Sequence, residues 1–416
     1  MEMPWSQFYA RRAQRITGSQ IRNFFSLAER PEVISFAGGF PGSDYLPKKE
    51  VAQALAEIFA EEGQQALQYT PTEGIYRLRA YLASKMTREG VNCSAEDIII
   101  TDGGQQALDL LSRILINPGE TVLVEEPAYI GSIGAIRSYG GIPTGVGLDD
   151  GGAQPESIEQ VIHRLQSKGK TPKFFYTVPN FHNPTGYTTT LERRREILAL
   201  ASRYNFLIVE DNPYGEICYE GTVPESYKSL DQEGRVIYLG SFSKTLAPGI
   251  RIGWMAAGQG LIEKIVLAKQ TADLCSSSLG QHLALRLSED GFVDRHVQEV
   301  IGSYRRKRDA MLSSMEQHFP SRLTFSHPHG GFYIWVNFPP EYPTACELLY
   351  SSLKQNVAFV HGEGFYCREG VTVEHTARFS FSQPSEEKIS EGIYRLGLLF
   401  NSLEEKSNIK TAIGKP

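Results

Sequence analysis

The feature that most constrains this chain is a rhythm of short apolar runs between residues 98 and 240. Ile98–Thr101, Thr121–Glu125, Lys173–Val178, Phe206–Glu210 and Val236–Leu239 are almost wholly apolar and too short to be helices of their own. Such runs lack polar alternation, which is the mark of strands covered on both faces. Between them lie longer segments of helical spacing, among them Gln105–Ile116, Ile158–Gln166 and Leu191–Arg203. Strand, helix and strand in this order predict a parallel α/β sheet flanked by helices. Arg251–Ala257 is a candidate for one further strand.

Gln105–Ile116 carries the helix logic plainly. Ala107, Leu108, Leu111, Ile114 and Leu115 fall on one helical face, Gly103 and Gly104 precede it, and Asn117-Pro118-Gly119 ends it. The character changes after residue 290. An arginine-rich helix is expected over Val293–Gln317, strands over Gly331–Asn337, Ala358–Val360 and Thr376–Ser382, and a last helix over Ser385–Glu404. The tail Lys406–Pro416 is polar and reads as frayed. With 416 residues the chain exceeds the roughly 250–300 residues at which single cores stop growing, so a large α/β unit and a smaller α+β unit are expected.

Charge and cysteine usage remove several classes of function. Lysine and arginine number 42 against 48 acidic residues, for a formal net charge of −6, whereas a general nucleic-acid binder carries a basic excess. No apolar stretch approaches the length of a membrane span, and the start of the chain lacks the apolar core of a secretory signal, so a cytoplasmic protein is expected. The five cysteines, Cys93, Cys218, Cys275, Cys346 and Cys367, are scattered and include no CxxC pair, which argues against a disulfide scaffold or a structural zinc site. His327-Pro328-His329 has no evident companions for a metal, and no metal is expected. Arg305, Arg306, Lys307 and Arg308, and Arg193, Arg194 and Arg195, read as solvated helix faces.

Four motifs stand at strand ends. Ser241-Phe242-Ser243-Lys244, with Arg251 seven residues on, follows the Val236–Leu239 run. Open α/β sheets bind ligands at the carboxyl ends of their strands. There an arginine can fork onto a phosphate, hydroxyls add donors, and a lysine can form a Schiff base with an aldehyde. Asn183-Pro184-Thr185-Gly186 is first a turn former, yet Asn183 could point into the same edge. Asp211, in Glu210-Asp211-Asn212-Pro213-Tyr214, could solvate a loop or pair with a protonated ring nitrogen. Thr101-Asp102-Gly103-Gly104-Gln105 opens a helix, whose free N–H groups can seat a phosphate.

Taken together these pieces resemble the fold type I pyridoxal-phosphate enzymes, in the class I/II aminotransferase group and closest to its α-aminoadipate (kynurenine) aminotransferase branch. The resemblance runs from about Ser19 to Leu403 and includes Ile34–Gly42, Leu67–Gly74, Gly104–Leu108 and Ala377–Ser382. It implies a large domain over 46–290 that binds the cofactor, a small domain over 291–416, and an arm over 1–45 joining the small one. It implies that Lys244 links to pyridoxal 5'-phosphate and shuttles the proton, that Asp211 partners the pyridinium nitrogen, and that Asn183 and Tyr214 bond the ring oxygen. Tyr129 would stack on the ring, and Gly104, Gln105, Ser241, Ser243 and Arg251 would form the phosphate cup. Gly104 stands where relatives often carry serine, so one hydroxyl donor is missing from that cup. Tyr69 would reach the phosphate of a neighbouring subunit in a homodimer with shared sites. Arg378 would hold the substrate α-carboxylate, with Gly39 near it; Arg22 would either read a distal carboxylate or lie on the surface.

The function so implied is ping-pong transfer of an amino group between an amino acid (2-aminoadipate, glutamate, aromatic or aliphatic) and a 2-oxo acid such as 2-oxoglutarate. Two alternatives stay open at this point. One is another activity on the same fold, a β-lyase or decarboxylase, which cofactor motifs do not separate. The other is a transcription regulator built on this fold, but the pattern begins near Ser19, which leaves no room for a DNA-binding module of about 60 residues.

Overall fold

The computed structural model describes residues 30–367 and 375–413, together with Met3, residues 5–10 and Ala13, with side chains as far as Glu405. Fourteen strands are formed among them. In chain order they are β1 (Ile34–Ser35), β2 (Ile98–Thr101), β3 (Thr121–Glu126), β4 (Ile142–Asp149), β5 (Gly152–Ala153), β6 (Pro172–Thr177), β7 (Leu207–Asp211), β8 (Val236–Ser241) and β9 (Gly253–Ala256). β10 (Thr324–Phe325), β11 (Tyr333–Asn337), β12 (Val357–Ala358), β13 (Val360–His361) and β14 (Thr376–Ser380) follow.

β2 to β9 make one eight-stranded sheet in the order β2-β9-β8-β7-β6-β3-β4-β5. The apolar runs become its centre because helices cover both faces: every residue of β2, β8 and β9 is buried. Neighbours from β8 through β4 pair in parallel, so their carboxyl ends share one edge. β9, which takes up the candidate run Arg251–Ala257, is an antiparallel member of this mostly parallel sheet. It runs antiparallel to both β2 and β8, and it starts at Gly253 because Arg251 turns the chain with a left-handed φ of 56°. The reversal has a consequence for chemistry. The amino end of β9, and Arg251 with it, lies at the same edge as the carboxyl ends of its neighbours.

β10, β11, β14 and β13 form a separate antiparallel sheet, and β1 pairs in parallel with β12. The expected strand over Ala358–Val360 is split: β12 serves one sheet and β13 the other, with Phe359 buried between them. The helix Phe292–His318 packs against the last helix, Glu386–Ile413, whose backbone continues through part of the tail that reads as frayed.

Two basic runs are not wholly solvated, contrary to expectation. Arg194 is fully buried; it donates to the carbonyls of Thr189, Pro179, Pro224 and Glu225 and to Asn180 Oδ1. Lys307 and Arg308 are buried too. Lys307 Nζ donates to the Ser382 and Gln383 carbonyls, and Arg308 to the Pro328 carbonyl and to Glu220. Consecutive residues of a helix point in different directions, so some members of a charge run face inward, where they pair with buried carbonyls and, for Arg308, with a carboxylate. Arg305 and Arg306 remain largely exposed.

Candidate active site

A cavity of about 990 Å³ opens at the shared strand edge. Lys244 and Ser243 reach it from just beyond β8, Asp211 from the end of β7, and Asn183 from the loop after β6. Gly104 and Gln105 reach it from the first turn of the helix Gly103–Leu115, and Tyr129 from the loop after β3. Arg378 enters from β14 of the other sheet, and Gly39 from the segment after β1. Tyr214, Ser241 and Arg251 also line the cavity. Tyr69 does not: it is 76% exposed. Arg22 lies outside the described residues.

Asp211 sits at the base. Its Oδ2 accepts the Tyr176 hydroxyl at 2.6 Å. Burial pushes its carboxyl up to about 6, against the opposing pull of the Tyr176 hydrogen bond and the Lys244 charge. Lys244 Nζ donates to the Gly39 carbonyl at 3.0 Å. Burial first, then the charges of Arg378 and Arg251, pull its amine down to about 8. A lysine so placed exchanges a proton near neutrality far more readily than a solvated one.

Two anion sites flank this pair. At the first, the helix Gly103–Leu115 begins with Gly103 at a φ of 73°. A Cβ there would lie 2.8 Å from Arg251 Nη2, so glycine is what allows the guanidinium to pack onto the helix N-terminus. Arg251 Nη2 donates to the Asp102 carbonyl at 2.9 Å, and Ser241 Oγ lies 3.0 Å from Ser243 Oγ. Backbone N–H groups, hydroxyls and a guanidinium thus converge, as an anion requires. At the second, Arg378 Nη1 donates to Asn183 Oδ1 and Nη2 to the Ala37 carbonyl, each at 2.9 Å. The guanidinium lies between two rings, 4.5 Å from that of Tyr333 and 5.2 Å from that of Phe365. Its Nε is buried with no hydrogen-bond partner among the described residues. Both sites suit a phosphorylated cofactor and a carboxylate substrate, and the buried carboxylate suits a protonated ring nitrogen.

Sequence reasoning assigns nothing to Tyr176, Tyr333, Glu125 or His182. His182 Nε2 lies 3.1 Å from Glu125 Oε2, and Glu125 also accepts from Thr177 Oγ1 and the Val178 N–H. Within the loop that carries Asn183, His182 Nδ1 lies 2.9 Å from Thr185 Oγ1. The available signal was a polar group at the buried carboxyl end of a strand: Tyr176 in β6 and Glu125 in β3.

Residues 32–396 match the model of the family described as aminotransferase class I and II. The chain is 40% identical over 395 residues to an aromatic-amino-acid aminotransferase of Thermococcus litoralis, covering 95% of this chain and 94% of the relative. It is 37% identical over 404 residues to the 2-aminoadipate transaminase of Thermus thermophilus, covering 96% and 98%. The crystal structure of Pyrococcus horikoshii kynurenine aminotransferase in complex with PMP superposes with a TM-score of 0.92 at 40% identity, covering 97% of this chain and 98% of that one. A match that begins beside β1 and ends within the last helix takes in every element that lines the cavity, and this chain therefore belongs to the class I and II aminotransferases.

Proposed function

We propose that this enzyme binds pyridoxal 5'-phosphate in the cavity at the sheet edge and moves amino groups between an amino acid (2-aminoadipate, glutamate, aromatic or aliphatic) and a 2-oxo acid such as 2-oxoglutarate. The observation that carries the reading is the meeting, in one cavity, of a lysine with a lowered pKa, a buried carboxylate and two separate arginine sites. When bound, the cofactor supplies an aldehyde and an electron-withdrawing ring. Arg251, Ser241, Ser243 and the N–H groups of Gly104 and Gln105 hold its phosphate. Asp211 holds a proton on the ring nitrogen, and Asn183 and Tyr214 serve the ring oxygen. Tyr129 covers the ring face. Arg378 would hold the substrate carboxylate, and Lys244 would take the proton from Cα of the amino donor and, in the second half-reaction, deliver one to Cα of the amino acid formed from the 2-oxo acid.

The breadth of donors is supported by the relatives, named for aromatic and 2-aminoadipate substrates, and by the Phe40 and Ile130 residues among those that line the cavity. We read 46–290 as the large domain, 291–416 as the small one and 1–45 as an arm of the latter; the β1–β12 pairing supports that arrangement. The assembly is read as a homodimer, with the exposed Tyr69 directed at a partner. A cytoplasmic setting accords with five free cysteines.

The test is a donor panel. Cofactor-loaded protein, 2-oxoglutarate and each amino acid are incubated, and glutamate formation is followed, or for glutamate itself the reverse exchange. Aromatic donors and 2-aminoadipate should both react, and Lys244→Ala should abolish turnover. Borohydride should fix the cofactor to the peptide containing Lys244. Failure of every donor with loaded protein, or fixation at another lysine, would overturn the proposal.

A further inference from the structure

Tyr333 carries a hydroxyl into the cavity beside Tyr214 and Gly39. It lies on β11, is 1% exposed and lines the site. Its hydroxyl is 3.1 Å from that of Tyr214 and 3.4 Å from the Gly39 carbonyl. The two tyrosine rings meet edge to face, with centroids 5.8 Å apart at 84°. Gly39 has no Cβ, and one built there would fall on the Tyr333 hydroxyl. The hydroxyl and a larger residue at position 39 therefore compete for one space.

A phenol has one proton to donate, and two acceptors are in reach here. The Gly39 carbonyl is already served by Lys244 Nζ at 3.0 Å. Tyr214 Oη is also the nearer of the two acceptors. Burial is the largest cause that pushes the Tyr214 hydroxyl well above the usual phenol range, so Tyr214 keeps its proton; with that proton directed at the ring oxygen, Tyr214 Oη is left as an acceptor toward Tyr333. A hydroxyl that accepts one bond donates the next more strongly, because hydrogen bonds in series polarise one another.

We infer that Tyr333 is a positioning residue whose hydroxyl donates to Tyr214 Oη, fixing the direction in which Tyr214 donates and strengthening that bond. The inference rests on reading Tyr214 as a donor to the cofactor ring oxygen. Its chemistry differs from that of a core aromatic, since the ring alone would satisfy packing and would lie equally well under Arg378.

Calorimetric binding of pyridoxamine 5'-phosphate to the cofactor-free protein tests it. That probe leaves Lys244 free and has no carboxylate for Arg378. Tyr333→Phe keeps the ring and removes one oxygen. It should weaken binding roughly two- to fivefold, Tyr214→Phe should weaken it more, and Tyr333→Phe should have no further effect in the Tyr214→Phe background. Equal losses in both backgrounds, or no loss in the first, would overturn the inference while leaving the role of Tyr214 intact. Wild-type affinity in Tyr214→Phe would remove the reading beneath it, and the inference with it. A second arm needs no cofactor. Gly39→Ala should lower the Tm of the apo protein, and adding Tyr333→Phe should restore it at least in part. An undiminished loss in the double variant would place the hydroxyl elsewhere and overturn the inference.

Discussion

Lys244 and Asp211 illustrate what a reactive residue costs its own fold. The Lys244 amine, pulled down to about 8 chiefly by burial, is harder to protonate in the folded chain than in the unfolded one. Its favourable contribution to stability is complete above the ordinary lysine value, about 10.4, and is lost as the pH falls through about 8. Asp211 is shifted in the opposite sense. Raised to about 6, it contributes fully below the ordinary carboxylate value, and that contribution is lost as the pH rises through about 6. At pH 7 both groups are therefore charged in surroundings that resist the charge. Lys244→Met removes one of them while keeping the apolar stem. The cofactor-free variant should melt above wild type at pH 7, by roughly 2–5 °C, and the gap should close as the pH is raised toward 10. Melting curves of both apo proteins across that range decide it. A variant that melts lower at every pH would show that the Gly39 hydrogen bond outweighs the buried charge.

At the scale of elements, the helix Leu191–Tyr204 shows how a single inward position can govern a distant loop. Arg194 ties the helix to Pro179, Asn180 and Thr189, which bracket the turn carrying Asn183. Arg194→Ala would strip donors from several buried acceptors at once and should cost about 3–5 kcal/mol. Arg194→Lys should recover little, since an ammonium cannot span the same fork. Arg195 has a side chain 63% exposed and lies 3.8 Å from Glu225, so Arg195→Ala should stay within about 0.5 kcal/mol of wild type. Urea unfolding of the three variants measures the contrast, and similar losses for Arg194→Ala and Arg195→Ala would refute it. The same helix marks a limit of sequence reading. Its bounds follow from periodicity, and Leu191–Arg203 lies within one residue of the observed end. Three consecutive arginines, however, do not say which of them faces inward until the neighbouring carbonyls are in place. The direction of β9 was hidden for a related reason, since an apolar run specifies burial and not the sense in which a strand pairs. Tyr176 escaped because one hydroxyl in a buried strand looks like packing until the Asp211 carboxylate at the end of β7 comes within its reach.

At the scale of the whole molecule, the segment after the helix Lys48–Ala66 turns large side chains outward. Leu67 is 72% exposed and Tyr69 76%, with Tyr76 at 60%. Their backbone is not loose. Gln281 accepts from the Ile75 N–H at 2.8 Å and donates to Thr70 Oγ1 at 3.2 Å, and Ser278 Oγ donates to the Gln65 carbonyl at 3.1 Å. Large side chains held outward on a fastened backbone suit the partner surface that the proposed homodimer would supply. A two-fold partner would cover them and, on the proposed reading, receive Tyr69 in its own phosphate cup. The strand-end motifs of the large sheet could be located from one chain's sequence, but a residue that serves another copy could be placed only by resemblance, because nothing in its own surroundings marks it. Subunit exchange makes the prediction quantitative. Tyr69→Ala and Lys244→Ala should each be severely impaired alone. In an equal mixture half of the dimers are mixed, and each of these holds one site with both lesions and one with neither, so activity should return to roughly a quarter of wild type. If Tyr69 instead serves the site of its own chain, every site in the mixture carries one lesion or the other. Activity then stays at the level of the separate variants, even with exchange verified by mass spectrometry of the mixed dimer.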